Sequence, residues 1–381
     1  MPLKKLLLKP GVNKENTRYT NENGWYECDK VRFRQGTPEK IGGWQRVSNA
    51  TFLGICRSLN NWLTLANINL IGLGTNLKFY LSQGGGYYDI TPLRTTVTLG
   101  TDPFTGNGTT TVTVTAATHG CVTGDFVTFS GVTGTYASLL NGQFQVTVVN
   151  TGSYTITVAS AIPAGSTGGS AVSAAYQINV GPEIQVPLTG WGAGAWGAGS
   201  WGITGSTTSA LRLWSQDNFG EDLVFGPRGG GIYYWDATGG VNARGVALSS
   251  LSGASDVPTV QNFIFISDIN RFVFAFGAND YGSAIQDPML IRWSDQESAV
   301  NWTPAATNQA GSLRLSDGSE IISAIQARQE IVVFTDSAVY SLQYLGAPEV
   351  WGAQLLGDNI SIESPNAAVI ASGVVYWMGV D

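Results

Sequence analysis

Along Trp25–Arg34 the side chains alternate with a two-residue period: Tyr26, Cys28, Lys30, Arg32 and Arg34 fall on one face, and Trp25, Glu27, Val31 and Phe33 on the other. Successive strand residues point to opposite sides, so this pattern predicts a strand with one partly apolar face. Gly36 and Pro38 are the expected turn after it. Farther on, the apolar runs Leu63–Ala66, Leu70–Leu73 and Leu77–Leu81 are set apart by Asn60-Asn61, by Asn67 with Asn69, and by Gly84-Gly85-Gly86. Apolar runs punctuated in this way predict an antiparallel meander of four short strands between 53 and 94.

Residues 95–177 change character. Twenty of these 83 residues are Thr, and only Asp102 and Asp125 are charged. Thr and Val alternate, which predicts strands at Thr109–Thr115, Asp125–Ser130, Gln143–Val149 and Ser153–Val158 in a small β-sandwich or barrel. The Gly/Ser/Ala stretch Ala164–Ala175 reads as a linker. Gly86–Pro92 and Tyr176–Val180 read as flanking parts of one meander, so 95–177 is expected to be a domain inserted into a β host.

Beyond residue 210 a theme recurs, a strand ending in an aromatic cluster followed by Asp or Gly. It appears at Ile232–Asp236, Phe272–Gly277, Ile291–Asp295, Val339–Gln343 and Val375–Gly379. The steps from Trp235 to Trp293, to Ser341 and to Trp377 are 58, 48 and 36 residues. That irregular period is near the ~40–50 residues of propeller blades, each a four-stranded meander that buries its faces only against its neighbours. The expected fold class is therefore all-β. A propeller-like body of meander blades (51–94 and 178–381) carries the inserted β domain (95–177) and an extended N-terminal arm (1–50). The cluster pattern predicts a further strand past Asp381, or closure by the N-terminal meander.

Composition supports this reading. Charged residues are 12% of the chain, with 49 Gly and 12 Trp. Few charges with many aromatics argue against disorder, and abundant Gly suits tight hairpin turns. Charge is unevenly placed: residues 1–57 hold eleven Lys/Arg and five Asp/Glu, whereas 58–381 hold nine and twenty-two. A basic leader on an acidic body is expected to dock on an acidic neighbouring surface, through Lys4, Lys5, Lys9, Lys14, Arg18, Arg32 and Arg34. The acidic body speaks against sequence-specific DNA binding, which runs on neutralised phosphates. Cys28, Cys56 and Cys121 show neither metal nor disulfide spacing, as expected of a chain made in a reducing cytoplasm. No apolar run reaches 18 residues, so no membrane helix is expected.

Candidate chemistry is sparse. The one histidine, His119, stands two residues from Cys121 in a glycine turn, where a nucleophile pair rarely finds its geometry. Gly72-Leu-Gly74 and Gly226-Pro-Arg-Gly229-Gly-Gly231 lack the remaining features of phosphate loops and read as hairpin turns. Glu221-Asp222, Asp295 and Glu297 read as solvated loop ends rather than a glycosidase pair. Trp191-Gly-Ala-Gly-Ala-Trp196-Gly-Ala-Gly-Ser-Trp201 is a five-residue repeat. It reads as a glycine loop pinned by tryptophans, with an exposed aromatic ladder for a ligand as the other reading. No catalytic residue, cofactor motif or metal site is expected.

Several stretches resemble a known family. The arm reads Pro10-Gly11-Val-Asn-Lys-Glu15-Asn-Thr-Arg18-Tyr19, then Gly24-Trp25-Tyr26-Glu-Cys28-Asp29-Lys30-Val31-Arg32-Phe33-Arg34-Gln-Gly36-Thr-Pro38-Glu39-Lys40-Ile41-Gly42-Gly43-Trp44. It resembles the N-terminus of podovirus tail hub or nozzle proteins, the group that includes packaged-DNA stabilisation proteins. Thr118-His119-Gly120 and Thr123–Gly131 are similar to small β domains of phage tail proteins. Trp191–Trp201 and the aromatic strands also look like that group. The resemblance implies a β-propeller-like virion protein in a ring, commonly sixfold, below the portal and adaptor, with DNA passing through it. It brings no catalytic residues. The rival expectation is a propeller module that binds glycans or a receptor, with Trp191, Trp196 and Trp201 as contacts, and a glycan-cleaving enzyme comes third. Fold alone does not separate these.

Overall fold

The computed structural model describes residues 8–15, 17–43, 45–46, 48–181, 211 and 213–380. The chain divides into two units, Met1–Asn49 and Ala50–Asp381. In the first, β1 (Val31–Arg34) and β2 (Thr37–Lys40) form a hairpin turned by Gln35-Gly36. The strand is shorter than its alternation predicts, and Trp25–Lys30 lies outside it. Pro38 sits in β2 opposite Phe33 rather than in the turn. A two-stranded ribbon has only edge strands, and there a missing N–H costs no ladder bond. No described residue of this unit is buried.

The second unit is almost entirely β, as its sequence pattern predicts. The first meander comprises β3 (Cys56–Leu63), β4 (Asn69–Thr75), β5 (Phe79–Gln83) and β6 (Gly86–Asp89), hydrogen-bonded in that order. The β5–β6 turn uses Gly84 and Gly85 at φ +58° and +84°, the two positive values that a two-residue hairpin needs. Asn60-Asn61 falls inside β3 rather than between strands. Gly72-Leu-Gly74 lies within β4, not in a hairpin turn. The cause is the next sheet: a Cβ on Gly74 would stand 2.6 Å from the Trp214 ring, whose Nε1 donates to Thr75 O at 2.7 Å. Glycine inside a strand often marks such a close approach.

Two packed sheets follow. Their strands are β7 (Leu93–Thr98), β8 (Phe104–Gly106), β9 (Thr111–Thr115), β10 (Phe126–Ser130), β11 (Gly142–Gln145), β12 (Thr147–Asn150), β13 (Ser153–Thr157), β14 (Gly165–Thr167) and β15 (Ser173–Gln177). One sheet has the order β11-β10-β15-β7 and the other β12-β13-β9-β8-β14. A short helix, α1 (Ala137–Leu140), bridges β10 and β11. The run read as one strand, Gln143–Val149, breaks at buried Val146 and passes from one sheet to the other. Ala164–Ala175 is no linker: it holds β14 and most of β15. Nor do Gly86–Pro92 and Tyr176–Val180 share a meander, because Tyr176 belongs to β15 while the first meander is complete at β6. Phe104, Val112, Val114, Phe129, Tyr154 and Tyr176 lie in the core between the two sheets.

Three further meanders continue the body, each paired in chain order. The second has β16 (Trp214–Phe219), β17 (Asp222–Pro227), β18 (Tyr233–Trp235) and β19 (Val246–Ala247). The third has β20 (Phe263–Ile266), β21 (Val273–Phe276), β22 (Leu290–Trp293) and β23 (Gly311–Arg314). The fourth has β24 (Ile321–Gln326), β25 (Ile331–Thr335), β26 (Ala338–Gly346) and β27 (Val350–Asp358). A two-stranded sheet, β28 (Ala368–Ala371) and β29 (Val374–Trp377), comes last. The recurring aromatic clusters are explained by this order. Those at 232, 291 and 339 mark third strands, whereas those at 272 and 375 mark second strands. The steps of 58 and 48 residues both join third strands and differ through the lengths of the connections, whereas the step of 36 ends in a second strand.

The sheets stack in series, as propeller blades do. Leu223 and Phe225 of β17 pack with Trp62, Phe79 and Leu81 of the first meander, while Val224 between them packs with Ile264 and Val273 of the third. Strand β21 repeats the device: Val273 and Ala275 face back, and Phe274 and Phe276 face forward to Val333, Tyr340 and Trp351. In β25, Ile331 and Val333 face back while Val332 and Phe334 pack toward Val375. Strands β17, β21 and β25 therefore each fill two cores, and full burial of one such apolar side chain stabilises by roughly 1.5–3 kcal/mol. No helix among the described residues is long and apolar enough to cross a membrane.

Candidate functional site

The first strands of successive sheets converge. β16 lies beside both β3 and β20, and β24 lies beside β28. Polar side chains stitch them together. Gln216 Nε2 donates to Ser58 Oγ at 2.7 Å and to Gly72 O at 3.2 Å. Ser215 Oγ accepts from Ile264 N at 3.0 Å, Asp217 Oδ2 accepts from Ile266 N at 3.0 Å, and Ser323 Oγ donates to Pro365 O at 2.7 Å. Gly72 makes room for the Gln216 amide, because a Cβ there would meet its Oε1 at 2.0 Å. Between these strands opens a groove of about 250 Å³, lined by Ser58, Asn60, Gln216, Arg228, Phe263 and Ser323 among others.

Among the described residues, Arg228 is the one charged side chain that lines it. Arg228 forms an ion pair with Glu320, which also accepts from Asn262 Nδ2 at 3.1 Å. Burial pushes the Asp217 carboxyl up to about 6, against the backbone N–H groups of Ile266 and Asn218 that favour its charge, and Asp268 adds to the rise. The loop Gly226–Gly231 is a hairpin connection, as its sequence reads. Its Arg228 N donates to Leu213 O and Gly229 N to Gln261 O.

A second polar cluster ties three parts of the body together. Asp89 Oδ2 accepts from Lys78 Nζ at 2.7 Å, from Gln177 Nε2 at 3.2 Å and from Arg244 Nη2 at 3.4 Å, while Oδ1 accepts from Thr91 N at 3.0 Å. Lys78 is 2% exposed, lies 4.5 Å over the Phe126 ring and also donates to Gln143. Burial raises the Asp89 pKa. Lys78, Arg244 and the donated bonds outweigh it and hold the carboxyl at about 2.

Of the seven arm cations, Lys4 and Lys5 lie outside the described residues. Arg18 meets Glu27 at 3.5 Å and stacks over Tyr26, and Arg32 meets Glu39 at 2.5 Å. Lys9, Lys14 and Arg34 are exposed and form no ion pair among the described residues. Trp191, Trp196 and Trp201 also lie outside the described residues.

His119 and Cys121 are buried but do not form a reactive pair. His119 Nδ1 accepts from Cys121 N at 3.1 Å and Nε2 faces Asn150 O at 2.8 Å, so both ring nitrogens serve the backbone. The thiol donates to His119 O, and burial pushes it up to about 11 despite the nearby Arg94 guanidinium. Asp222 holds Tyr234 and Ala237 N, and Asp295 accepts from Gln296 N and Gln309 N, so both carboxylates brace turns. Among the described residues no cluster of His, Cys, Asp or Glu is suited to hold a metal.

The groove residues Asn60, Ser215 and Gln216 were not singled out by sequence reasoning. The available signal was Ser215-Gln-Asp-Asn218, a polar run inside a strand bracketed by Trp214 and Phe219.

No protein-family model matches the chain, and no curated protein sequence matches it. Among solved structures it is similar to the endosialidase of phage phi92, with 14% identity and a TM-score of 0.25, over 90% of this chain and 55% of that one. The chain thus spans about half the length of that enzyme. It is also similar to BBS1N in complex with ARL6DN, with 8% identity and a TM-score of 0.25, over 82% of this chain and 72% of that one. Neither superposition bears on a site or an activity.

Proposed function

We propose that the chain is a structural protein of a bacteriophage tail. It forms an oligomeric hub or nozzle ring, sixfold, below the portal and adaptor, helps retain packaged DNA and forms the conduit for its ejection. The virion tail is then its location.

The observation that carries the reading is the arm. Its motif resembles that of podovirus tail proteins, and its described residues include none that is buried. A lone hairpin is marginal in water, and ordering a chain without burial costs ~1–2 kcal/mol per residue of backbone entropy. Such a segment gains stability against a partner surface. Lys9, Lys14 and Arg34 remain available to an acidic one, whereas Arg18 and Arg32 already have carboxylate partners. Residues 58–381, with twenty-two acids against nine bases, supply that kind of surface on a neighbouring copy. The same excess suits a conduit wall that does not grip phosphates.

The test is to delete residues 1–20 and follow incorporation into particles. The expected outcome is loss of incorporation with the body's melting unchanged. Normal incorporation of the truncated chain overturns the reading. A class average of the assembled particle reads the ring directly. A chain that stays monomeric beside the adaptor and is retained on a glycan array supports the receptor-binding alternative instead.

A further inference from the structure

Each of the four meanders ends in an outer strand, and three of these strands are short. β6, β19 and β23 have four, two and four residues, whereas β27 has nine. An outer strand presents unpaired N–H and C=O groups on its free side, and proteins blunt such edges with shortness, Lys, Pro or bulges. β27 pairs with β26 on one side and with no described strand on the other. It holds no Lys, Arg or Pro, and its bulges fall outside the run 351–355. Leu355 and Leu356 in it, and Leu345 packed over Gly352, are exposed by 43% or more. A long edge left open in this way is a template for an added strand.

Charge selects the strand. Residues 329–381 hold six Asp/Glu and no Lys or Arg, and exposed Glu349 and Asp358 stand at the two ends of β27. Residues 1–50 hold ten Lys/Arg against five Asp/Glu, and their hairpin has two outer edges. Pro38 removes a donor from β2, so β1 keeps the complete edge. Val31 and Phe33 share one face of β1, and Arg32 and Arg34 the other. A β1 laid along β27 brings two apolar side chains to a strand with exposed leucines, and cations to a segment that has none of its own. We propose that the open edge of β27 receives strand β1 of a neighbouring copy's arm, which extends the fourth meander to five strands. The inference rests on the ring reading for the neighbour and adds where its arm is held. The two surfaces are unlike, so the contact is head-to-tail, the kind that closes into rings.

The test mixes light and heavy-nitrogen versions of the full chain, joins amines to carboxylates with a zero-length carbodiimide, and maps the linked peptides by mass spectrometry. Sedimentation velocity on the same samples reads the assembly state. Links between light and heavy chains are expected from Lys9, Lys14 or Lys40 to Glu349 or Asp358. Leu356→Lys sets a charge on the exposed edge and is expected to weaken association about tenfold or more without lowering the melting temperature. Leu63→Lys, at another exposed leucine of the body, should leave association unchanged. Mixed links that join the arm only to other acids overturn the proposal and leave the ring reading standing. So does unchanged association of Leu356→Lys. Arm links confined to single chains overturn it as well, because the arm then serves its own body. A chain that sediments as a monomer and gives no mixed links overturns the proposal and the ring reading together.

Discussion

Strand β25, Ile331-Val-Val-Phe-Thr335, is buried at every position, whereas β9, Thr111-Val-Thr-Val-Thr115, buries only its two valines. Both are central strands of antiparallel sheets, and they differ in how many neighbours they need. β25 fills one core with Ile331 and Val333 and another with Val332 and Phe334. β9 turns its valines to the facing sheet and its threonines away from it, and both sheets of that core lie within 93–177. A meander cut from the stack therefore exposes two apolar faces. The Thr-rich pair keeps its whole inner core when cut out, and the main apolar side chain it uncovers is Phe126, which lies under Lys78. What remains between it and the body is largely polar, centred on Asp89.

The coarsest way to break the comparison is to cut the chain. A fragment spanning 93–177 is expected to unfold cooperatively on its own, and a fragment spanning 321–358 to remain unfolded, both read by circular dichroism on heating. A folded single meander would mean that two-sided burial is not what holds the stack. Next in size, Phe274→Ala opens a hole where that ring meets Phe276 and Trp351 at centroid distances of 5.8 and 5.0 Å. It should cost about 3–5 kcal/mol in urea unfolding. A loss below about 1 kcal/mol would place the fold's stability elsewhere.

The polar junction should respond to acid. The Asp89 pKa is near 2 in the folded protein and about 3.9 in an unfolded chain. Its contribution is therefore fully present above pH ~4 and fades as the pH falls toward ~2. Asp89→Asn should cost about 2–3 kcal/mol at neutral pH and much less at pH 2, because buried Lys78 and half-buried Arg244 lose a counter-charge to the substitution only where Asp89 is ionised. An equal loss at both pH values would show that shape, not charge, matters there. The smallest effect belongs to the outward face of the Thr-rich sheets: Thr113→Ala should change the melting free energy by no more than about 0.5 kcal/mol.

Much of the fold was legible in the chain. The Thr/Val alternation marks one-sided strands, and continuous runs such as Ile331–Phe334 mark two-sided ones. Other features were not legible, for physical reasons. Gly72 and Gly74 look like turn residues, yet they sit in a strand because Gln216 and Trp214, some 140 residues away, press on them. Ala164–Ala175 looks like a linker because small residues have low strand propensity and show no alternation, yet neighbouring strands supply the ladder that pairs them. The groove was hidden for a similar reason. Asn60 reads as punctuation between apolar runs and Gln216 carries no signal of its own, until the stacked sheets bring their edges together.

Serial stacking also sets how the body breathes. Each sheet is held chiefly by the one before and the one after, so its opening free energy is a nearest-neighbour quantity, as in a linear array of coupled repeats. Amides of β17, β21 and β25, flanked on both sides, should open only when two junctions give way at once. Those of β28 and β29, a two-stranded sheet where Val369, Val374 and Tyr376 are exposed at 50% or more, should open more readily. Deuterium uptake would then spread inward from that sheet as a front, rather than appear everywhere in a single global event.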